Sequence, residues 1–130
     1  MALEILERHY GEMLPVLIPA SERGTSLTRH LHWILEKEGA FPQRMSEVSP
    51  GSASILLVDD VICTGATLLK RLLELWKTMS PPQVEVLVLV DRGHRRFPIA
   101  ADYVGVRLAT TLQEYVEVVH LPRGWEVWLR

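Results

Sequence analysis

The stretch Ile55-Leu56-Leu57-Val58-Asp59-Asp60-Val61-Ile62-Cys63-Thr64-Gly65-Ala66-Thr67 decides the reading. Its first four residues are all apolar, so neither face of the segment is polar. That is the pattern of a central parallel strand with helices on both sides. The run ends in two adjacent carboxylates, Asp59 and Asp60, at the strand end where open α/β sheets bind ligands. A loop follows, and a helix begins around Thr64-Gly65-Ala66-Thr67. Gly65 lets the backbone come close to an anion. Thr64 and Thr67 add hydroxyl donors. The helix N-terminus supplies unpaired N–H groups and the positive end of the dipole.

The combination is a phosphate cradle with acids beside it, and a phosphorylated sugar fits it. The phosphate would sit in the cradle, while the carboxylates would accept hydrogen bonds from ribose hydroxyls or hold Mg²⁺ through water. An isolated Thr-Gly-Ala-Thr would read better as a helix cap beside a solvated strand end. The full order of strand, acid pair, loop and helix is more specific. Two other phosphate motifs are absent: there is no G-x-x-x-x-G-K-[ST] and no G-x-G-x-x-G after a strand. A receiver domain also opens on an apolar strand and an acid pair. Here, however, Asp91 is the sole later phospho-acceptor candidate, in the poorly matching Asp91-Arg92-Gly93-His94.

Outward from this core, helices and strands alternate. Residues 2–12 place Leu3, Ile5, Leu6 and Tyr10 at helical spacing, with Gly11 as the stop. Leu14–Pro19 is a short strand whose prolines confine it to the ladder's ends or an edge. Ser21-Glu22-Arg23-Gly24 is a polar turn. Residues 25–38 form a helix with Leu27, Leu31, Ile34 and Leu35 on one face and Gly39 as its stop. Residues 40–54 read as a connector. Ala66–Met79 is an amphipathic helix halted by Pro81-Pro82, and Val84–Val90 is a second buried strand. Residues 102–108 and 115–121 are two further short strands, and the tail with Trp125 and Trp128 packs back on the body. The expected fold class is α/β, an open sheet with a parallel centre flanked by helices, in one domain spanning 1–130.

Composition agrees. At 130 residues, 48% hydrophobic and 23% charged, the chain is an ordinary globular domain and not a disordered or fibrous one. A net charge of −2 and a pI near 6.2 argue against bulk coating of nucleic acid. The one cysteine, Cys63, fits a reducing compartment. The N-terminus lacks the pattern of a signal peptide, and no apolar run is long enough to span a bilayer, so a cytoplasmic location with no membrane partner is expected.

The segment Val58–Thr67 resembles the PRPP-binding signature of type I phosphoribosyltransferases. The longer stretch Val88-Leu89-Val90-Asp91-Arg92-Gly93-His94-Arg95-Arg96-Phe97-Pro98-Ile99-Ala100-Ala101-Asp102-Tyr103-Val104-Gly105 is similar to one branch of that family, the bifunctional pyrimidine operon attenuators that are also uracil phosphoribosyltransferases. The likeness spans about residues 2–39 and 55–121. It implies transfer of ribose 5-phosphate from PRPP to uracil, with Mg²⁺ brought by PRPP near Asp59 and Asp60 and no metal bound directly by the protein. It implies that Asp59 and Asp60 are catalytic and meet the ribose hydroxyls. Val61, Thr64, Gly65, Ala66 and Thr67 would hold the 5-phosphate. Ser21, Glu22, Arg23 and Gly24 would form the pyrophosphate loop. The loop from Asp91 to Ile99, with Arg92, and the Tyr103-Val104-Gly105 segment would form the hood over the base, and a homo-oligomer is expected.

The departure from the family lies between the second helix and the PRPP strand. There the family has a further strand and a long loop that closes over PRPP. This chain has only residues 40–54, with Arg44 as their single basic residue. Ligand binding is therefore expected, with catalysis weak or lost. The alternatives are a non-catalytic RNA-binding attenuator and a ligand-sensing regulator. Arg92, Arg95, Arg96 and Arg107 against Asp102 make a local basic patch, while the whole-chain charge disfavours RNA. Cys63 reads as a small packing residue. His30 and His32 have the wrong spacing for one helical face. The tryptophans read as core or interface aromatics.

Overall fold

A computed structural model describes residues 1–9, 13–44, 53–111 and 113–130 of the chain. Along it run α1 (Ala2–Arg8), β1 (Val16–Pro19), a 3₁₀ turn (Glu22–Gly24), α2 (Thr25–Lys37), β2 (Ile55–Ile62), α3 (Ala66–Trp76), β3 (Val84–Asp91), β4 (Tyr103–Arg107), β5 (Val116–Leu121) and β6 (Gly124–Leu129). The first four strands form one sheet in the order β1-β2-β3-β4, parallel throughout. β5 and β6 make a separate antiparallel hairpin. The expected open α/β sheet is present, with its acid-bearing strand β2 inside it.

Alternation along β2 explains why its apolar run is unbroken. Ile55 and Leu57 join Val86, Val88, Leu68 and Leu75 in a core on the α3 side. Leu56 and Val58 join Leu87, Leu27, Leu31, Leu35 and Ile5 on the side of α1 and α2. Successive side chains of a strand point to opposite faces, so a strand covered on both must be apolar at every position. Each fully buried aliphatic side chain contributes about 1.5–3 kcal/mol.

The helices follow the same economy. In α2, Leu27, Leu31 and Leu35 recur every four residues and are all buried. Its end is a glycine cap. Gly39 adopts φ +78°, the Ala40 N–H donates to the Leu35 carbonyl at 2.8 Å, and the Gly39 N–H donates to Glu36 at 3.0 Å. In α3 the apolar face is Leu68, Leu72 and Leu75, and the regular helix stops at Trp76, three residues short of the expected Met79.

Other boundaries also differ from the sequence reading. β2 continues through the acid pair to Ile62, because Asp59, Val61 and Ile62 pair with Val88, Val90 and Asp91 of β3. The tail, expected simply to pack back, is strand β6. Trp33, Trp76 and Trp128 stand half exposed or more, and only Trp125 is packed against the core. The expected extension of the first helix to Tyr10 and Gly11, and connector residues 45–52, lie outside the described residues. Among the described residues, no helix is long and apolar enough to cross a membrane.

Glu85 sits inside β3, 5% exposed, where the apolar run has its one charge. Its Oε1 lies 2.6 Å from His9 Nε2. Its Oε2 accepts the Tyr103 hydroxyl at 2.8 Å, with Arg8 Nη1 at 3.7 Å. Burial, and then the neighbouring carboxylate, hold the Tyr103 hydroxyl protonated well above its usual range. Arg8 also lies 4.7 Å above the Tyr103 ring. This cluster ties α1 to β3 and β4. Tyr103→Phe removes one donor from a buried carboxylate, so urea denaturation should show a loss of about 1–3 kcal/mol, and an unchanged midpoint would contradict the role given to this hydrogen bond.

Candidate active site

At the C-terminal edge of the sheet, a cavity of about 400 Å³ is lined by Arg23, the whole of Asp59–Leu68, Arg92 and Tyr115–Val118. Four pieces of the chain meet there: the turn after β1, the β2–α3 loop, Arg92 just after β3, and the β5 hairpin.

The turn after β1 reaches the cavity because of a close backbone approach. A Cβ on Gly24 would stand 2.4 Å from the Val58 carbonyl oxygen, so only glycine fits. The same Val58 oxygen accepts the Ala20 N–H at 2.8 Å, and Thr28 Oγ1 donates to the Gly24 carbonyl at 2.7 Å. These contacts seat Arg23 at the cavity wall and Ser21 beside the acid pair.

The carboxylates differ in environment. Asp59 is 3% exposed and Asp60 half-buried. Asp59 Oδ1 accepts the Asp60 N–H at 2.9 Å and the Ser21 hydroxyl at 3.4 Å, while Asp60 Oδ1 accepts the Val61 N–H at 2.8 Å. Burial first, and then the adjacent Asp60 side chain, push the Asp59 carboxyl up to about 7; the two donors only partly oppose them.

The cradle is braced from behind. Gly65 caps α3 at φ +90°, and a Cβ there would stand 2.5 Å from Ile99 Cγ2. The Arg95 guanidinium donates to the Cys63 carbonyl at 2.9 Å and to Ile99 at 2.9 Å. The Arg96 and Phe97 N–H groups both donate to the Thr64 carbonyl. With these carbonyls held by the 95–99 loop, the helix N-terminal turn is left for an anion. Thr64 Oγ1 accepts the Ala66 N–H at 3.2 Å. Cys63 is partly exposed at the cavity wall.

Of the residues expected at the site, Asp59, Asp60, Val61, Thr64, Gly65, Ala66, Thr67, Arg23 and Arg92 share the cavity. Ser21 and Gly24 support it from the first layer behind. Glu22, Asp91 and Val104 do not line it. Asp91 instead accepts from Arg95 at 2.8 Å and from the Gly93 N–H at 2.9 Å. Although burial opposes ionisation, the Arg95 and Gly93 hydrogen bonds and the charges of Arg95 and Arg107 hold the Asp91 carboxyl below its ordinary value. Val104 pairs with Val88 in the sheet and packs on the α3-side core. Arg92 lines the cavity but also donates to Thr110 Oγ1, the Thr111 carbonyl and the Glu114 carbonyl, which anchors the segment leading to β5.

Sequence reading did not place Tyr115–Val118 at the site. The alternation at 115–119 identified a strand, but nothing local says that its hairpin folds over the end of β2.

Two outcomes follow from this geometry. Gly65→Ala meets both a left-handed backbone and the Ile99 side chain, so it should lower stability by at least about 1–2 kcal/mol, and Ile99→Ala in the same chain should restore only part of it. Asp59 is raised in the folded state from an ordinary 3.8 to about 7. Its contribution to stability is therefore complete below the ordinary value and is lost as pH rises through about 7. Denaturation from about pH 5 to about pH 8 should show the unaltered chain losing more stability than Asp59→Asn. Parallel pH profiles would mean that Asp59 ionises as an exposed aspartate does.

Comparison with known proteins agrees with this geometry. The phosphoribosyl transferase domain family matches residues 10–122. The chain is 34% identical to the bifunctional protein PyrR of Herpetosiphon aurantiacus, over 91% of this chain and 80% of that one. It is 30% identical to the PyrR of Haemophilus ducreyi, over 88% of this chain but 64% of the relative. Among solved structures, the hypoxanthine phosphoribosyltransferase of Trypanosoma cruzi superposes with a TM-score of 0.69 at 22% identity, covering 88% of this chain and 75% of that one. A hypoxanthine-guanine phosphoribosyltransferase of Bacillus anthracis gives 0.64 at 19% identity, over 82% and 72%. The sheet is thus that of a known domain, and the chain belongs to the phosphoribosyltransferase family.

Proposed function

We propose that this chain binds PRPP and a pyrimidine nucleotide at the β2 edge, as a protein of the uracil phosphoribosyltransferase and pyrimidine-regulator type whose turnover is slow. The observation that carries this reading is the single cavity shared by the acid pair, the Thr64–Thr67 loop and Arg23. Thr64, Gly65, Ala66 and Thr67, with Val61 beside them, would hold the 5-phosphate. Asp60 would accept from the ribose hydroxyls, with Asp59 behind it. Arg23 would face the pyrophosphate, with Ser21, Glu22 and Gly24 shaping its loop.

In the reaction, the bond from the anomeric carbon to pyrophosphate breaks, a bond to a base nitrogen forms, and the base gives up a proton. Positive charge develops on the sugar and negative charge on the leaving group, so carboxylates near one and a guanidinium near the other stabilise both. The donor set suits Mg²⁺, since two adjacent carboxylates offer the hard oxygens that this ion takes, usually together with water and a substrate's phosphates. Mg²⁺ would neutralise charge on the pyrophosphate, and Asp59 and Asp60 would hold it through water.

The slow-turnover element rests on length. Residues 40–54 are short for a loop that must close over PRPP and exclude water, and Arg44 is their only basic residue. The RNA-attenuator reading has less support, because Arg92 and Arg95 of the basic patch are spent on internal hydrogen bonds. A ligand-sensing regulator uses the same site without turnover. A homo-oligomer in the cytoplasm is the setting in which we place it.

Calorimetry with PRPP and Mg²⁺, and with UMP, should show binding that Asp60→Asn weakens by about tenfold, the scale of one hydrogen bond to a charged group. Incubation with PRPP, Mg²⁺ and labelled uracil should give UMP only slowly. Absence of heat with either ligand would sink the assignment, and UMP formation at an ordinary enzymatic rate would sink the slow-turnover element alone.

A further inference from the structure

His30 of α2 and His120 of β5 meet across a second cleft, which shares no lining residue with the β2-edge cavity. Their ring centroids stand 6.0 Å apart, edge to face at 68°. Spacing denies His30 a histidine partner on its own helix, and the hairpin supplies one. The cleft has a volume of about 670 Å³, and His30, Trp33, His120 and Arg123 form its walls. Arg123 reaches it because Leu121 pairs with Gly124, which leaves Pro122-Arg123 as the two-residue tip of the hairpin.

Stacking holds the two imidazoles in place. His120 lies flat on Trp125, with centroids 4.1 Å apart and planes within 12° of parallel. An indole face attracts a cation, so a protonated His120 keeps its place on this stack. On the helix, His30 and Trp33 are one turn apart, 6.0 Å between centroids, and Lys37 Nζ sits 4.2 Å over the Trp33 ring.

The charged groups on this cleft are all basic, and no carboxylate lines it. Glu36 and Arg29 belong with His32 to the cleft on the other side of Trp33. Glu126 follows Trp125 in β6, so its side chain takes the opposite face of the hairpin, where it accepts the Trp128 indole N–H at 3.2 Å. Arg8, Arg71, Arg95 and Arg130 each meet a carboxylate. Among the described residues, the His30, His120 and Arg123 side chains form no hydrogen bond or ion pair. Under His120, the Trp125 N–H is buried and has no acceptor among the described residues either. Donors therefore outnumber acceptors on both sides of the imidazole.

We propose that this cleft between α2 and the hairpin tip is a second anion site, which takes the phosphate group of a small molecule on His30, His120 and Arg123. A guanidinium brings a fork of N–H donors and each imidazole brings one more, which matches the several oxygens of a phosphate. A transition metal suits the cleft less well. Two imidazoles fall short of the three or four protein ligands of a zinc site, and no third ligand stands beside them among the described residues. Arg123 and Lys37 also disfavour a cation there. The proposal is independent of the reading given to the β2 edge.

Histidine-ring NMR of the full chain tests it, with phosphate exchanged for chloride at constant ionic strength. Phosphate should move the His30 and His120 resonances and raise their titration midpoints by about half a unit or more, since an adjacent opposite charge favours the charged imidazole. His32, on the other cleft, should stay where it is. Sulfate keeps its charge across the imidazole range, so its affinity should fall plainly as pH rises from about 6 to about 8. Arg123→Gln changes an exposed turn residue and should weaken phosphate at His30 and His120 by about tenfold, the scale of one hydrogen bond to a charged group. Unmoved His30 and His120 resonances overturn the proposal, including the case in which Zn²⁺ or a single-stranded oligonucleotide moves them instead. So does an equal shift of all five histidines, which would report ionic surroundings and not a site. Full affinity in Arg123→Gln overturns it as well, whether or not variants at His30 and His120 fold.

Discussion

How closely backbone can approach the end of β2 governs this site. The Val58 carbonyl lies against Gly24, and any side chain at 24 would push the turn after β1 away. That one contact brings Ser21 to Asp59 and Arg23 to the cavity. Across the same strand end, Gly65 lies against Ile99, which lets the 95–99 loop take up the Cys63 and Thr64 carbonyls. Two close packings thus set the walls, and the acid pair sits between them in the last stretch of pairing of β2, which runs on to Ile62.

Asp59 shows what this packing costs. A carboxyl 3% exposed beside a second carboxyl is held partly protonated near neutrality. Backbone and hydroxyl donors offset burial only in part. Such a group is sensitive to any cation brought into the cavity, since a positive charge nearby favours its ionised form. Ligand binding and proton release should therefore be linked at this edge, which ties the electrostatics of the fold to the chemistry proposed for it.

Much of this was legible along the chain, for reasons that can be named. The unbroken apolar run Ile55–Val58 required a strand covered on both faces, and Gly39 after an apolar stripe required a helix end. Those signals are local: each depends on residues within one turn or one strand. Asp59, Asp60 and Thr64–Thr67 are contiguous, so their meeting in one cavity followed once the strand and helix were placed. Val104 and Asp91 were read by their position in a motif, and tertiary packing turned Val104 into the core and gave Asp91 to Arg95. Glu85 is a buried charge inside the apolar strand β3. Its partners Arg8, His9 and Tyr103 come from both sides of it in sequence, and no spacing rule connects them.

The hairpin was the least legible part, and it changes what the short connector means. Val116–Leu121 and Gly124–Leu129 pair with each other, far from the connector in sequence, yet β5 folds over the end of β2 and faces the same cavity. Arg92 anchors the segment between β4 and β5 through three hydrogen bonds, so this wall is held in place without ligand. A long loop that must close on its ligand loses entropy when it does so; a hairpin already fixed by its own ladder does not. Binding at this edge can thus survive the loss of a closing loop.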